Sequence, residues 1–328
     1  MMEGSLDMKK FVFLLAAIMI LILPVVLLYG CGSGEEEKTV TIAEQYGLAY
    51  APVNIMKQEN LLEKRVDAEI RWKKMANTAA IREAMLAGEV DIGFVAIPPF
   101  LIGRDKGMDW KIISGLSRSP LGLMTNREDI NSLSDFTEED RIALPQPGSI
   151  QHILLAMAAE KEFGEPDRFD DRLVTMAHPD GMNALLSRQE ITAHFTSPPY
   201  IFKESEEEDI HQVLSGEEAL GGEFSFIVGV GTEEFHDSQP GLYRDFVEAL
   251  GQAVDYINDN PGEAAGLLTR DYDLSREEIR KYITWPGMIY EREIRGLDKF
   301  AVFMREAGYI DFTAENSQLI WEEDFYVE

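Results

Sequence analysis

The side chains with the widest chemical reach in this chain are five histidines, His152, His178, His194, His211 and His236, and one cysteine, Cys31. No histidine falls in a His-Glu-x-x-His or facial-triad spacing, and a lone cysteine supplies neither a Cys-x-x-Cys cluster nor an intrachain disulfide. The histidines are therefore expected in isolated surface or capping roles. Gly229-Val-Gly231 lacks the third glycine of a dinucleotide loop and sets Glu233 and Glu234 where a pyrophosphate would approach. Asp271-Tyr-Asp273 begins like a calcium loop without its glycine and closing glutamate, and Ser275-Arg-Glu-Glu278 reads as a helix-capping box instead. These patterns assign no catalytic residue, no metal ligand and no cofactor site. The chemistry that remains is reversible binding.

Hydrogen-bonding and stacking groups stand at several turns. Gln45 and Tyr46 offer an amide and a ring, or else form a plain polar turn. Asn77-Thr78 and Gly148-Ser149 open amphipathic stretches, where unpaired N–H groups either receive an anionic oxygen or are capped in the ordinary way. One helix end contributes about 0.3–1 kcal/mol when exposed and up to about 2 when partly buried, so several must converge on a ligand. Ser197-Pro-Pro-Tyr200 presents a ring that closes over a ligand or packs on a hinge. Trp285, ahead of Pro286-Gly287, is a weaker candidate, because a lone tryptophan is more often core.

The elements that must hold these residues follow a βαβαβ rhythm, hence a parallel sheet. Strands are expected at Thr39–Ala43, Ala68–Trp72 and Val90–Val95, with a helix opening near Pro52 and another from Asn77 to Leu86. Pro98-Pro99 end the third strand, and Pro98 joins the binding candidates there. Trp110–Leu116 and Leu121–Thr125 read as further strands, and the polar stretch Asn126–Asp140 as a crossing between domains. A smaller copy follows: strand Arg141–Leu144, helix Ser149 to Phe163, strand Leu173–Met176, helix Gly181–Ser187, strand Ile191–Phe195. Phe224–Gly229 crosses back, and Pro240 to Phe303 is largely helical with breaks near Pro261, Tyr272 and Pro286. The expectation is an α/β protein of two lobes joined by two crossing strands. Residues 39–125 plus 226–328 form lobe I, and residues 126–225 form lobe II. Ligands of open α/β sheets lie beyond the carboxyl ends of the strands, which is where the candidates fall.

Ahead of these lobes, Lys9 and Lys10 precede an apolar run from Phe11 to Tyr29, an export signal with a processing site. The run is also long enough to span a bilayer, so a retained anchor is the alternative. Leu28-Tyr29-Gly30-Cys31 resembles a bacterial lipobox, with Tyr29 bulkier than the pattern prefers. The resemblance implies a signal peptide over residues 1–30, a diacylglyceryl anchor on Cys31 and a hydrated tether over 31–38. The chain carries 59 acidic against 30 basic residues, a formal charge of −29. Such a field argues against nucleic acid and against a basic membrane-binding face, and serves solubility or a saline habitat.

From Thr39 to Gly308 the chain resembles the solute-binding proteins of aliphatic sulfonate, taurine, nitrate and thiamine-pyrimidine-precursor importers, which have the type II periplasmic-binding fold. The likeness rests on an ordered set: Ala51-Pro-Val-Asn-Ile-Met-Lys-Gln-Glu-Asn-Leu-Leu-Glu-Lys-Arg65, then Ala68-Glu-Ile-Arg-Trp72, then Ile81-Arg-Glu-Ala-Met-Leu-Ala-Gly-Glu-Val-Asp-Ile-Gly93. Pro147-Gly-Ser-Ile-Gln151 before a helix and Ile191-Thr-Ala-His-Phe-Thr-Ser-Pro-Pro-Tyr200 add to it, although many relatives carry a tryptophan or an acidic residue between Phe195 and Tyr200. The resemblance implies a monomeric, non-enzymatic lipoprotein on the extracytoplasmic face that captures a small organic solute by lobe closure. It would then pass the solute to an ABC permease. Its site residues would be Gln45, Tyr46, Asn77, Thr78, Pro98, Gly148, Ser149, Gln151, Ser197 and Tyr200. The first-lobe pattern leans to a sulfonate- or taurine-like anion. A pyrimidine-like heterocycle, a sensory binding protein and an exported enzyme of the same fold stay open as alternatives.

Overall fold

The computed structural model describes residues 39–313 and 315–327. The expected signal peptide, the lipobox with Cys31 and the tether lie outside the described residues. Among the described residues no helix is long and apolar enough to cross a membrane.

The chain runs β1 (Thr39–Glu44), α1 (Ala51–Gln58), β2 (Glu69–Lys74), α2 (Thr78–Leu86), β3 (Ile92–Ala96), α3 (Ile97–Asp105) and β4 (Trp110–Ser117). It then passes through β5 (Gly122–Thr125), β6 (Ile142–Leu144), α4 (Ile150–Phe163), β7 (Leu173–Thr175), α5 (His178–Ser187), β8 (Ala193–Thr196), α6 (Tyr200–Ser205), β9 (His211–Ser215) and α7 (Gly216–Leu220). It returns by β10 (Ile227–Thr232) and finishes mainly in helices: α8 (Glu233–Ser238), α9 (Pro240–Asp259), α10 (Pro261–Leu268), α11 (Arg276–Ile283) and α12 (Leu297–Glu306).

The strands form two five-stranded sheets of the same plan, β2-β1-β3-β10-β4 and β7-β6-β8-β5-β9. In each, three parallel strands are followed by an antiparallel one that the chain inserts while passing from one half to the other. β3 is buried along its whole length, as a strand covered on both faces must be, which explains its unbroken apolar sequence. β1 and β2 pair in register from Thr39–Glu69 to Glu44–Lys74, which ends both strands at one level.

Three boundaries differ from the sequence reading. β5 pairs with β8 and β9 and so belongs to the second sheet. The first crossing is therefore the short link 118–121, not the polar stretch 126–140, whose hydrophilicity reflects surface loops alone. Pro98 and Pro99 end β3 but also begin α3, since the first turn of a helix has no use for their missing N–H groups. β9, placed by its pairing with β5, carries only a half-buried pattern and directly follows the acidic run Glu204–Asp209, which hides it in the sequence. The capping box at Ser275 is present, with Ser275 N–H donating to Glu278 at 2.8 Å and Glu278 N–H to Ser275 Oγ at 3.2 Å.

Candidate binding cleft

A cavity of about 470 Å³ lies between the two sheets, and its walls are the residues that leave the strand ends. From the first sheet come Gln45, Tyr46 and Gly47 after β1, Ala76, Asn77 and Thr78 after β2, and Ala96 and Pro99 at the end of β3. From the second come Pro145, Gln146, Ser149, Ile150 and Gln151 after β6, Ala177, His178 and Pro179 after β7, and Ser197, Pro198 and Tyr200 after β8. Phe226 and Ile227, at the start of antiparallel β10, together with Ala49 and Tyr50, complete the wall. Six carboxyl ends of parallel strands thus converge on one volume, the general geometry of ligand sites in open α/β sheets. None of these lining residues is Arg, Lys, Asp or Glu.

Eight of the ten sequence candidates line the cavity. Gln45 Nε2 donates to Thr78 Oγ1 and to the Phe94 carbonyl, both at 3.1 Å, which leaves its oxygen uncommitted. Asn77 caps α2 by accepting from Ala80 N–H at 3.0 Å. Ser149 caps α4 by accepting from His152 N–H at 3.3 Å, so its hydroxyl proton and the first-turn amides of Ile150 and Gln151 remain for a ligand. Tyr46 stands at the rim, 67% exposed, with Lys74 Nζ 4.6 Å from its ring centre. Tyr200 stacks on His178 at 5.8 Å, and the Ser197 carbonyl accepts from Tyr200 N–H at 2.9 Å. The peptide between Pro198 and Pro199 is cis.

Pro98 and Gly148 are not in the wall. Pro98 is packed into the first turn of α3, and Pro99 takes the cleft-facing place. Gly148 N–H donates to His152 Nδ1 at 3.0 Å, so it cannot also serve an anion. Its φ of +79° makes the turn that delivers Ser149 to the cap. Trp285 stacks on Phe202 at 4.6 Å outside the cavity, and Phe195 is core.

The histidines correct the sequence reading most. His152 is buried, held between Gly148 N–H and Asp170 Oδ1 at 3.0 Å. His178 lines the cleft, with Gln151 Nε2 at 3.2 Å on one side and His194 Nε2 at 3.0 Å on the other. His194 has no exposed surface, and its Nδ1 lies 2.7 Å from the equally buried Glu204 Oε1. Burial, then the neighbouring His194, hold the His178 imidazole well below its usual range, and burial takes His194 down to about 3. Burial also pushes Glu204 up to about 9. All three are therefore uncharged at neutral pH. Behind the opposite wall, Glu44 is buried and raised to about 7 by that burial, with Lys74 pulling the other way. Turning the Asn54 amide so that its nitrogen faces Glu44 gives bonds of 2.9 and 3.1 Å to the two carboxylate oxygens.

Uncharged amides, hydroxyls and rings with two helix starts at the wall can hold a small polar molecule by hydrogen bonds and stacking. Among the described residues, no group of acidic, histidine or cysteine side chains has the arrangement to hold a metal ion.

The profile of the NMT1-like family matches residues 33–269. Comparison with curated protein sequences gives no significant match. Among solved structures, the chain is similar to the alkanesulfonate-binding protein SsuA from Xanthomonas axonopodis pv. citri bound to MOPS. Identity is 16% and TM-score 0.72, over 86% of this chain and 98% of that one. The periplasmic aliphatic sulphonate-binding protein SsuA from Escherichia coli is 18% identical with TM-score 0.70, over 87% and 92% of the two chains. The ligand-binding component of an ABC-type import system from Staphylococcus aureus, solved with zinc bound, is 16% identical with TM-score 0.69, over 89% and 96%. At these identities the likeness fixes the fold, that of the periplasmic binding proteins.

Proposed function

For this chain, which belongs to the NMT1-like family, we propose the role of a solute-binding protein of an ABC importer. It captures a small organic molecule between its two halves outside the cytoplasmic membrane and releases it to a permease, without turnover. Export by the leader and lipidation at Cys31 place it there. The observation that carries the reading is the cleft itself, built from six strand ends of two sheets whose two connections we read as a hinge. Lobe closure about that hinge, with residues 39–117 and 227–327 on one side and 122–215 on the other, traps the solute.

The wall also bears on which solute. An ion buried without a counter-charge is strongly disfavoured, and no lining side chain supplies one. Tyr46, Tyr50, Tyr200 and Phe226 supply rings, while Gln45, Gln146, Gln151 and Ser149 supply donors and acceptors. A flat, uncharged, hydrogen-bonding molecule of pyrimidine size fits these terms. A sulfonate or taurine-like anion is the second reading, favoured by the starts of α2 and α4 at the wall and by the sulfonate binders among similar folds.

A thermal-shift panel of alkanesulfonates, taurine, nitrate, carboxylates, pyrimidines and nucleobases tests the proposal. A ligand at about 100 times its Kd adds about 2.7 kcal/mol to stability, a readily measured rise in Tm. A rise with one heterocycle supports the first reading, and a rise with sulfonates alone supports the second. Folded, ligand-free protein that responds to none of them counts against the binding role.

A further inference from the structure

On the second-sheet side the cleft wall continues inward as a file of four polar side chains. Gln151 Nε2 and His178 Nε2 are 3.2 Å apart, His178 Nδ1 and His194 Nε2 are 3.0 Å apart, and His194 Nδ1 and Glu204 Oε1 are 2.7 Å apart. Glu204 Oε2 is buried with no hydrogen-bond partner. Holding a solute requires no carboxyl two side chains behind the wall.

A neutral imidazole has one N–H and one acceptor nitrogen, so each ring passes on the direction of the bond it receives. When Glu204 is a carboxylic acid with its proton on Oε1, it donates to His194 Nδ1. His194 Nε2–H then donates to His178 Nδ1, and His178 Nε2–H requires an acceptor. Gln151 meets that need by turning its oxygen to the ring, which leaves its NH2 to face the cleft; the two ends of an amide are interchangeable in shape. When Glu204 is ionised, every bond reverses. Gln151 Nε2 then donates to His178, and its oxygen faces the cleft.

Resting on the reading of the cleft as a solute site, we propose that Gln151, His178, His194 and Glu204 form one relay whose direction decides whether the cleft offers the solute a donor or an acceptor. In the acid form of Glu204 the offer is a donor, and the solute selected presents a carbonyl oxygen, a sulfonyl oxygen or a pyridine-type ring nitrogen to Gln151. Glu204 touches no solute and is a positioning residue. Two observations favour the acid form at neutral pH. Burial raises Glu204 and lowers both imidazoles. An ionised carboxylate would also leave a charged oxygen buried without a donor at Oε2, whereas the acid with its proton on Oε1 leaves only a neutral carbonyl-type oxygen there.

The other titratable groups on the elements around Glu204 do not set this direction. On α6, Tyr200 stacks on His178 and is held above its usual range by burial and then by Asp180 of α5. Lys203 lies on the same helix, and Glu206, the residue that caps its C-terminus, pairs outward with Lys281. His211 of β9 bonds the Ile130 carbonyl oxygen, and β5 carries no titratable residue.

Nitrogen NMR of the full chain labelled at histidine reads the direction without any solute. At neutral pH both His178 and His194 are expected as neutral Nε2–H tautomers, with a through-bond coupling between His178 Nδ1 and His194 Nε2. Raising the pH through about 9, where Glu204 ionises, should convert both rings together to Nδ1–H. In Glu204→Gln the amide keeps a donor in the place of the acid, so both rings stay Nε2–H at about pH 10. Unlike tautomers in the two rings, an imidazolium at neutral pH, or a wild-type protein that does not switch would each overturn the relay, and wild-type spectra alone suffice if the variant does not fold. A solute panel without a hit defeats the binding role and leaves this result standing, whereas unlike tautomers defeat the relay and leave any hit standing.

Discussion

Buried carboxyls and buried imidazoles pull the stability of this protein in opposite directions as pH changes. Glu44 and Glu204 ionise near pH 7 and 9 in the fold but near the ordinary carboxylate value of about 4.3 when unfolded. Above that value the folded chain holds protons that the unfolded chain has lost. Their contribution is therefore complete below about pH 4 and disappears as pH rises through about 7 and then about 9. His178 and His194 are neutral when folded and charge below about pH 6.5 when unfolded, so the stability they withhold in acid is restored by about that pH. Between about pH 4.5 and 6.5 the two pairs oppose each other, and above about 6.5 the carboxyls act alone. Calorimetry should find Tm falling from about pH 6.5 to about 9, and Glu204→Gln should flatten the upper part of that fall. A wild-type Tm that is level or rising across this range would show that these carboxyls are ionised in the fold. Gln45, Asn77, Ser149 and Tyr200 were legible in the sequence because each stands directly after a strand signal. His178, His194 and Glu204 were not, because they meet only when α5, β8 and α6 pack, and no local spacing announces that meeting.

At the scale of elements, α5 approaches β8 closely only because Gly181 has no side chain. A Cβ there would lie 2.7 Å from His194 Nε2. Gly181 sits in helical backbone, where alanine normally gains about 0.5–1 kcal/mol, while overpacking a full site costs about 1–3 kcal/mol. Gly181→Ala is expected to lower Tm and to separate His178 from His194. Gly241→Ala, whose Cβ would meet nothing within 4 Å, should leave Tm unchanged or raise it. Equal effects at the two glycines in a denaturation series would mean that α5 shifts freely and that the ring is not held. The same packing view explains which elements could be read in advance. The βαβ units announced themselves through apolar periodicity, and the Ser275 cap through its local motif. The sheet to which β5 belongs is decided by its neighbours β8 and β9, and that partner choice leaves no mark on the strand's own sequence.

Over the whole molecule, the crossing segments are held by Arg118, whose guanidinium lies 2.6 Å from both Glu223 and Glu291 and whose backbone bonds Ile289 in both directions. Beyond that clasp the halves touch where Phe202 of α6 stacks on Trp285 and where Lys281 of α11 pairs with Glu206. If the proposed opening parts α6 from the α11 side, the stack favours the shut form. An aromatic pair contributes about 0.5–1.5 kcal/mol beyond its buried area, a factor of about two to ten in a closure equilibrium. Trp285→Ala should therefore broaden the small-angle scattering of the solute-free protein and weaken solute binding by that factor without altering any residue of the cleft wall. Scattering identical to wild type would place Trp285 on a part of the surface that closure does not use.

Charge acts on the same scale and is independent of the hinge. With 59 acidic and 30 basic residues, like charges dominate the surface, and the compact state gathers them more closely than the unfolded chain does. Exposed ion pairs such as Arg127–Asp129 and Arg168–Glu165 are weakened by salt, but water already screens each of them and each contributes little. The surplus of negative charge is summed over the whole surface. Raising ionic strength shortens the screening length from about 30 Å at 0.01 M to about 8 Å at 0.15 M, which relieves repulsion between distant carboxylates before it reaches close pairs. Tm measured in sodium chloride should therefore climb over this range and level off beyond it. The rise should be the same in Trp285→Ala, because it does not depend on closure. A Tm that falls with salt would mean that attractive pairs outweigh the surplus, and would detach the acidity from any role in a saline setting.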